Sequence, residues 1–264
     1  MAPFSFLTTY RSLTMELAKR DVLGRYRGAS FGLLWSLISP FMMLMVYTFA
    51  FGNIYRGRWQ ETAGQHDSYT IILFIGLIVH GYFAECLNRS PQLVTGNVNF
   101  VKRVVFPLEI LPWPMMLSAL FHMAMNIVVF VLLRLVMDHE FSWTIVFLPV
   151  VVLPLVMLTA GLAWSLAALG VYFRDIGQVT GVMSMAALFM SSAMIPLSSL
   201  PPMYQKLLYL NPLTFIINEA RLVTLWNESP NWFGLFIYFC GATVFAYAGY
   251  GWFRATRRGF ADVL

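Results

Sequence analysis

Few residues in this sequence have the types and spacing that catalysis requires. His66, His80, His122 and His139 are scattered, and the acidic residues do not cluster. No HExxH, CxxC or GxSxG motif occurs, so neither zinc-dependent hydrolysis nor a nucleophilic serine or cysteine is indicated. The GxxxxGK[ST] phosphate loop is also missing from the sequence. If a nucleotide drives this protein, it binds to another subunit.

His80 and Glu85 are two ionisable residues within one apolar run. Ionisable groups inside a membrane favour a functional interpretation, and this pair could form a proton relay. Five residues separate them, so a helix would not present both on one face. The alternatives are a polar pair that finds other partners, or two positions that line a water-filled cavity.

The stretch RDVLGRYRGASFGLLWSLISPFMMLMVYTFAFG places Arg20, Arg25 and Arg27 directly before an apolar run. That run, about 20 residues long, is sufficient to cross a bilayer. Arginines in this position commonly set topology and anchor the chain among lipid headgroups. Gly28 and Gly32 have the small-xxx-small spacing that allows helices to approach closely. The stretch therefore predicts a packing corner as well as an anchor.

The composition is that of a membrane protein. Of 264 residues, 59% are hydrophobic and 11% are charged, with a mean hydropathy of +0.70, whereas a soluble domain carries about 25% charged residues. The net charge of +5 is typical of basic cytoplasmic loops and does not indicate nucleic-acid binding. Cys86 and Cys240 both lie in apolar runs, which predicts small buried hydrophobes without a disulfide.

Six apolar runs are long enough to cross a bilayer as helices. We therefore predict an all-α polytopic membrane protein with six transmembrane helices. The predicted spans are residues 31–51, 69–87, 115–137, 145–171, 176–195 and 232–252.

Lysine and arginine mark the cytoplasmic side of a membrane protein. With six spans, twelve basic residues fall on one side and five on the other. The twelve lie in 1–30, 88–106, 172–176 and the tail after the sixth run. Both termini are therefore predicted to be cytoplasmic, and an even number of spans agrees with that.

Three further segments complete the prediction. Near the N-terminus Phe6, Tyr10, Leu13 and Leu17 recur at spacings of three and four, which predicts an amphipathic helix in the cytoplasmic interface. The segment 94–114 predicts a short cytoplasmic helix. Between the fifth and sixth runs, a proline-interrupted apolar segment predicts two short re-entrant helices, since non-helical backbone at that depth needs protein or a water-filled cavity around it.

Five motifs in order resemble those of ABC-2-type permeases that export polysaccharides, the O-antigen and teichoic-acid group. The first is KRDVLGRYRGASFGLLWSLISP; the others are VKRVVFPLEILP, GVYFRDIGQV, LNPLTFIINEARLV and the terminal RRGFADVL. The match covers nearly the whole chain at a similar length. Capsule-type permeases resemble it less closely, because their first signature has Arg-Phe where this sequence has Arg-Tyr.

The resemblance implies a homodimer of permeases that works with two separate ATPase subunits. ATP and magnesium would then bind to the partner ATPase, with no cofactor on this chain. Two cytoplasmic segments are expected to contact the ATPase and receive its force. The residues expected to couple are Phe100, Val101, Lys102, Arg103, Val104, Phe173, Arg174 and Asp175. Solvated basic loops, and a local ion pair of Arg174 with Asp175 that caps two helices, are the alternatives.

The resemblance also implies that spans one and five of both protomers line a channel. Residues expected to line it are Tyr47, Phe51, Met183, Met185, Phe189 and Met190, with ordinary packing or lipid contact as the alternative. The outer gate is expected to contain Asn211, Pro212, Glu219 and Arg221. Glu219 and Arg221 are too close in sequence to face each other on one helix, so other elements or the second protomer are expected to pair with them.

The arginines of the first signature acquire a second interpretation from the resemblance. A lipid-linked substrate would enter there with an acidic pyrophosphate headgroup, and arginine suits phosphate geometry. Arg20, Arg25 and Arg27 are therefore candidates to attract that headgroup.

The sequence thus predicts one membrane domain and a bacterial inner-membrane permease. The predicted parts are a cytoplasmic interface helix (1–28), spans one to five (31–195), extracytoplasmic gate helices (196–230), and span six with a cytoplasmic tail (231–264). The expected function is ATP-driven export of undecaprenyl-linked polysaccharide, with O-antigen first. Other ABC-2 cargoes (capsule polysaccharide, teichoic acid, drug or lipid), a secondary transporter and a membrane-embedded glycan enzyme are the alternatives.

Overall fold

The computed structural model describes Pro3 and residues 8–51, 69–101, 106–137, 141–194 and 201–264. These residues form helices and turns without a strand, which confirms the predicted all-α class for the described part of the chain. Its α-helices are α1 (Arg11–Arg25), α2 (Trp35–Phe51), α3 (Tyr69–Arg89), α4 (Gln92–Thr95), α5 (Val98–Val101), α6 (Pro112–Met137), α7 (Leu148–Tyr172), α8 (Ile176–Phe189), α9 (Pro202–Tyr209), α10 (Pro212–Thr224), α11 (Trp232–Thr256) and α12 (Phe260–Val263).

Five helical stretches within the described residues are long and apolar enough to cross a membrane. They are Gly32–Phe49, Thr70–Arg89, Leu108–Val136, Trp143–Tyr172 and Trp232–Val263. The helix predicted over 176–195 begins as expected, but α8 ends at Phe189 after 14 residues. Such a helix is about 21 Å long, which is shorter than the hydrocarbon core of about 30 Å. The structure therefore supports five spanning helices and one shorter apolar helix.

Contacts between helix ends show that α7 and α11 run in the same direction and that α6, which begins near Arg257 and ends near Thr224, runs in the opposite one. The Tyr172 hydroxyl at the end of α7 donates to the Thr256 carbonyl at the end of α11, at 3.0 Å. At the other end of the bundle, the Thr144 hydroxyl, just before α7, donates to the Val223 carbonyl at 2.6 Å. We call the end that holds α1 and the C-termini of α3, α7 and α11 the basic end, and the other the α10 end.

The described basic residues are distributed unevenly between these ends. Arg134, Lys206 and Arg221 lie at the α10 end. Ten others lie at the basic end: Arg11, Lys19, Arg20, Arg25, Arg27, Arg89, Arg174, Arg254, Arg257 and Arg258. A membrane protein with such an asymmetry keeps its basic side in the cytoplasm.

Helix α3 lies at the centre of the bundle. Its apolar window is 72% buried, against 11% for the window that contains α2. It packs against α2, α6, α7, α8 and α10. The largely apolar first half of α3 fits this position, because a helix surrounded by others has no polar face. His80, Glu85 and Arg89 all lie in its second half.

Helices α7 and α11 share the most extensive contact of any helix pair in the described bundle. A Cβ atom added to Gly249 would lie 2.3 Å from the Gly161 carbonyl oxygen, so neither backbone has room for a side chain there. Trp164, completely buried, packs edge-on against Trp113 and Tyr250 beside this contact. This small-residue contact is the kind that the sequence predicted for a different pair of glycines.

That prediction, which assigned close helix packing to Gly28 and Gly32, is wrong. Both residues have positive φ, 86° and 49°, and an added Cβ would meet nothing within 4 Å. Glycine is needed there because other residues strain in the left-handed region. These two glycines shape the turn that leads from α1 into α2.

The expectation that both cysteines are buried is only half right, and the packing of α1 is now known in part. Cys86 is buried as expected, but Cys240 is exposed on α11, because a membrane helix presents apolar residues outward as well as inward. In α1 the buried residues are Thr14 and Ala18, while Leu13 and Leu17 are only half-buried. The helix therefore packs on α6 through small side chains, and Phe6 lies outside the described residues. The location of α1 in the membrane interface stays a prediction.

We expect Gly249→Ala to destabilise the protein by about 1–3 kcal/mol, the usual cost of overpacking, because the new methyl group would separate α7 from α11. Gly251→Ala on the same helix is the matched control, since its Cβ would meet nothing within 4 Å. Thermal unfolding of both variants in detergent measures the difference. An equal unfolding temperature for the two variants would contradict the importance of this contact.

Candidate functional site

Five ionisable side chains from α1, α3 and α6 form a cluster at the basic end. Arg25 Nη2 donates to Glu85 Oε1 at 2.5 Å, and Arg89 Nη1 donates to the same oxygen at 3.0 Å. Arg89 Nη2 also donates to both carboxylate oxygens of Asp21, each at 2.7 Å. His122 Nδ1 lies 2.9 Å from Arg25 Nη1 and 3.2 Å from Glu85 Oε2. We call Asp21, Arg25, Glu85, Arg89 and His122 the charge cluster.

Glu85 contacts three of the other four members of the charge cluster, Arg25, Arg89 and His122. Its side chain is 17% exposed, whereas that of Arg25 is 42% exposed. Glu85 and Arg89 are four residues apart on α3, the spacing at which opposite charges meet on a helix. Arg25 occupies the last turn of α1, where a cation also interacts favourably with the helix dipole. The pairing of Glu85 with Arg89 therefore follows from the local geometry of α3. Asp21 and Arg25 reach this pair because α1 packs beside it.

One ring nitrogen of His122, Nδ1, contacts both Arg25 and Glu85. Donation from Arg25 needs a lone pair on Nδ1, while a hydrogen bond to Glu85 needs a proton on the same nitrogen. The two contacts therefore compete for one atom. The other ring nitrogen, Nε2, is buried without a hydrogen-bond partner among the described residues.

A cavity of about 470 Å³ opens beside the charge cluster, between α2, α3 and α6. Arg25, Glu85 and His122 line one part of it, and His80 lines another. His80 Nε2 lies 3.0 Å from the carbonyl oxygen of Ser184 on α8. His80 and Glu85 thus have separate partners, and both line the cavity. These observations fit the two alternatives to a direct relay, polar groups with other partners and positions that line a cavity.

Arg20 and Arg27 differ from Arg25 in their surroundings. Both are exposed, and both line a groove of about 550 Å³ along α1. Arg20 also lines a smaller cavity of about 130 Å³ together with Asp21 and Arg89. Of the three candidate headgroup residues, Arg25 is paired with Glu85, whereas Arg20 and Arg27 have no ion-pair partner among the described residues.

The predicted gate residues Asn211 and Pro212 join α10 to its neighbours. Asn211 Oδ1 accepts from the Leu213 backbone N–H at 3.0 Å and caps α10. Its amide nitrogen donates to the Ala187 and Met190 carbonyl oxygens, at 2.7 and 3.0 Å, which ties α10 to the end of α8. The Pro212 carbonyl accepts a hydrogen bond from the Tyr238 hydroxyl. The Asn-Pro motif thus begins α10 and also joins this helix to α8 and α11.

Glu219 and Arg221 are directed to different partners. Arg221, 1% exposed, donates to the Ser192 and Ala193 carbonyl oxygens at 2.8 and 2.9 Å and to the Ile72 carbonyl oxygen at 3.2 Å. Glu219 accepts from the Asn231 backbone N–H at 2.8 Å. Burial raises the pKa of Glu219, and the hydrogen bond from Asn231 opposes that effect. Both residues therefore bind other elements of the same chain.

The candidate coupling residues are only partly described. Phe100 is half-buried and stacks on Phe106, with 4.2 Å between ring centroids. Lys102, Arg103 and Val104 lie outside the described residues, as does the side chain of Val101.

The other coupling segment lies between α7 and α8. Phe173 is 63% exposed, and Arg174 and Asp175 are exposed beside it. Asp175 occupies the N-cap position of α8 without a side-chain cap hydrogen bond. Arg174 and Asp175 form no ion pair with each other among the contacts of the described residues, so the alternative of a capping ion pair is not supported.

The candidate channel residues do not share one surface. Met183 and Met190 line an apolar groove of about 400 Å³ between α3, α7, α8 and α9, while Tyr47 lines the cavity beside the charge cluster. Met185 and Phe189 are exposed, at 64% and 59%, and four residues apart on α8. The side chain of Phe51 lies outside the described residues. The 3.6-residue period of α8 separates its two pairs onto different faces.

Sequence analysis did not identify Asp21, Arg89, His122 or Arg134 as site residues. The i,i+4 spacing of Glu85 and Arg89 was available as a signal, and so was the position of His122 in an apolar run. Arg134 gave a comparable signal at the end of span three. It donates to the Thr224 and Leu225 carbonyl oxygens and caps the end of α10. Their partners come from distant segments that no local pattern connects.

We expect Arg221→Met to leave three buried carbonyl groups without this donor, at a cost of about 1–3 kcal/mol each. Little assembled protein should accumulate in the membrane. Lys206→Met, which removes an exposed charge at the same end of the bundle, is the control and should assemble normally. Quantification of folded protein by fluorescence-detected size exclusion compares the two variants. Normal yield of Arg221→Met would show that other groups satisfy those carbonyls.

Comparisons of the sequence with known proteins identify its relatives and its family. The chain is 24% identical to the O-antigen export system permease protein RfbA of Myxococcus xanthus, over 97% of this chain and 96% of that protein. It is also 24% identical to RfbA of Klebsiella pneumoniae, over 96% and 95%. The polysialic acid transport protein KpsM of Escherichia coli is 27% identical over 80% and 81%. A family model described as ABC-2 type transporter matches residues 12–225. The resemblance seen in the five motifs is thereby confirmed, and the chain belongs to the ABC-2 type transporter family.

Proposed function

We propose that this chain is the membrane-spanning permease subunit of an ATP-driven ABC exporter. Its cargo would be an undecaprenyl-linked polysaccharide, with O-antigen as the first candidate, moved across the bacterial inner membrane. The observation that carries the proposal is similarity along nearly the full length to permeases named for O-antigen export. Similarity to a polysialic acid transport protein over 80% of the chain supports capsule polysaccharide as the second candidate. Teichoic acid, a drug or a lipid remains the wider alternative for an ABC-2 permease.

The proposal includes six spans, with both termini in the cytoplasm. Because α7 and α11 run in the same direction, the chain has to cross the bundle between them, which supports an arrangement in which α8 and residues 190–194 belong to the fifth span. The excess of basic residues at the end that holds α1 supports a cytoplasmic location for that end. In this orientation α9 and α10 are re-entrant helices of the outer leaflet, and they contain the gate residues Asn211, Pro212, Glu219 and Arg221.

A second copy of the chain is proposed to pack along α2 and α8. Both helices bury few residues: 11% of the window that covers most of α2 is buried, and the buried residues of α8 are Thr180 and Ser184. Their exposed side chains are large and apolar: Phe41, Met42, Met43, Met45, Val46 and Phe49 on α2, and Val179, Val182, Met183, Met185, Phe189 and Met190 on α8. Aromatic and methionine side chains give an adaptable wall along which sugar rings can move. Lipid contact is the competing explanation for the same exposure.

The ATPase subunits are proposed to act on the basic end. The exposed turn of Phe173, Arg174 and Asp175 joins α7 to α8 and offers an aromatic anchor flanked by charges, as contact sites between proteins often do. Force on this turn would move α8, a proposed channel helix, directly. The segment of Phe100 to Val104 is the second proposed contact.

We expect the tagged permease to co-purify from its native membrane with an ATPase subunit in equal amounts. Replacement of Phe173, Arg174 and Asp175 by alanine should remove most of the ATPase, since that turn supplies the anchor. Arg258→Ala, an exposed charge at the same end, is the control and should retain the ATPase. Recovery of a permease without any ATPase that still moves glycan would overturn the exporter proposal and favour a secondary transporter.

We expect the Arg20→Gln, Arg27→Gln double variant to insert normally but to export lipid-linked glycan several-fold more slowly. Removal of two exposed cations would weaken attraction of an acidic headgroup while the charge cluster stays intact. Surface glycan at equal permease levels measures the effect, with Arg11→Gln on the same helix as the control. Unchanged export would leave these two arginines with topology and anchoring alone.

A further inference from the structure

We propose that Glu85 is an internal counter-ion for Arg25, which a phosphate or pyrophosphate group displaces. Arg25 would exchange the Glu85 carboxylate for the phosphate oxygens of the ligand, and α1 would then pack less firmly on α3 and α6. The exchange deepens the proposed function, on which its lipid-linked ligand rests. No covalent bond changes in this step.

The exposure of the two partners makes exchange possible. Arg25 is 42% exposed and can meet a ligand, whereas Glu85 is 17% exposed. A guanidinium binds a phosphate in the same two-pronged geometry as a carboxylate. The ligand therefore needs to replace one acceptor with another of similar shape.

Glu85 would not become an unpaired buried charge when Arg25 leaves. Arg89 Nη1 remains at 3.0 Å and His122 Nδ1 at 3.2 Å from its carboxylate oxygens. Departure of Arg25 also frees His122 Nδ1 from its competing contact, so that this nitrogen can carry a proton towards Glu85. An unsatisfied buried carboxylate would cost much more, so the arrangement lowers the cost of exchange.

The local charge balance favours an added anion. Within the cluster the charges of Arg25 and Arg89 cancel those of Glu85 and Asp21. Arg20 on α1 and Arg27 in the turn after it form no ion pair within the described part of the chain. They line one groove with Lys19 and Glu16, so three cations and one carboxylate leave a net charge of +2 there. A pyrophosphate that contacts Arg25 would meet this surplus of positive charge.

Loss of the Arg25–Glu85 contact would loosen α1. The buried side chains of this helix are those of Thr14 and Ala18, so burial of apolar area contributes little to its packing. Two ion pairs, Arg25–Glu85 and Asp21–Arg89, supply its principal polar contacts with the bundle. Because Arg25 and Glu85 also line the 470 Å³ cavity, their separation would widen its opening at the basic end.

The test follows binding and the packing of α1 in one protein. Full-length permease carrying Cys240→Ser and Ala18→Cys is placed in phosphatidylcholine nanodiscs. Ala18 is 7% exposed, so its replacement cysteine reports the release of α1 by maleimide alkylation, while Cys86, 1% exposed, is the internal standard. One arm adds undecaprenyl pyrophosphate to the bilayer and the other adds inorganic pyrophosphate to the buffer, which separates a lipid headgroup from a free anion.

We expect the pyrophosphate lipid to accelerate alkylation at position 18 several-fold. Glu85→Gln should raise the basal alkylation rate and tighten binding of the lipid about three- to tenfold, because the competing carboxylate is gone. Arg25→Gln should raise the basal rate and abolish the response to the ligand. Asp262→Asn removes an exposed carboxylate on α12, at the same end but outside the cluster, and should alter neither quantity. A response to inorganic pyrophosphate alone would assign the site to a free anion and overturn the lipid assignment.

Weaker or unchanged binding in Glu85→Gln would overturn the exchange, since a purely structural carboxylate cannot compete with the ligand. If that variant fails to fold, Glu85→Asp keeps the charge with a shorter reach and should shift binding in the same direction by less. Failure of the lipid to accelerate alkylation in the Ala18→Cys protein also overturns the proposal. The proposed function is tested separately by ATPase-dependent glycan export: export without the alkylation response rejects the exchange alone, and no export with any glycan rejects the function.

Discussion

The structure depends on one requirement of a membrane interior, that every buried backbone carbonyl group must find a donor. The helix ends around α10 meet this requirement with long side chains. Arg221 binds carbonyl groups of α3 and of the segment after α8, Arg134 closes the end of α10, and Asn211 joins its beginning to α8. These donors let a short helix lie among longer ones without a water-exposed end. The α10 end is consequently a rigid unit that includes parts of α3, α6, α8 and α11.

The basic end is held together by different chemistry. Besides the hydrogen bond from Tyr172 to the Thr256 carbonyl group, its contacts include three ion pairs between side chains: Arg25 with Glu85, Arg89 with Asp21, and Arg257 with Glu109. A carbonyl group at the α10 end is part of the backbone and stays where the helix puts it, whereas a partly exposed carboxylate can be replaced by another anion. The two ends thus suit different tasks in a transporter, one as a fixed frame and the other as a surface that responds to ligands and partners.

Exposure along the bundle agrees with this division. The central helix α3 contributes to both ends, through Ile72 at one and Glu85 at the other. Helices α2 and α8 border the same cavity but leave large apolar side chains uncovered. A movement of α1 would reach α2 directly through the turn at Gly28 and Gly32, whose left-handed backbone joins the two helices. The frame at the α10 end would meanwhile hold the far ends of α3 and α8.

The sequence alone determined the helical class, the apolar runs and the family, because hydrophobic length and short motifs are local properties of the chain. It singled out the Asn-Pro motif as part of a gate without predicting a helix start there, and it anticipated that Glu219 and Arg221 would not pair with each other. It failed for Gly28, Gly32 and Cys240, since a Gly-xxx-Gly spacing or an apolar run does not reveal what lies opposite.

Only the tertiary structure decided which residues meet. It divided the candidate channel residues among three surfaces and brought Asp21, Arg25, Glu85, Arg89 and His122 together from three helices. Apart from the pair on α3, the partners in that cluster are at least 37 residues apart in the sequence. Charge–charge contacts over such separations depend on helix packing, and packing is a property of the whole chain rather than of any segment.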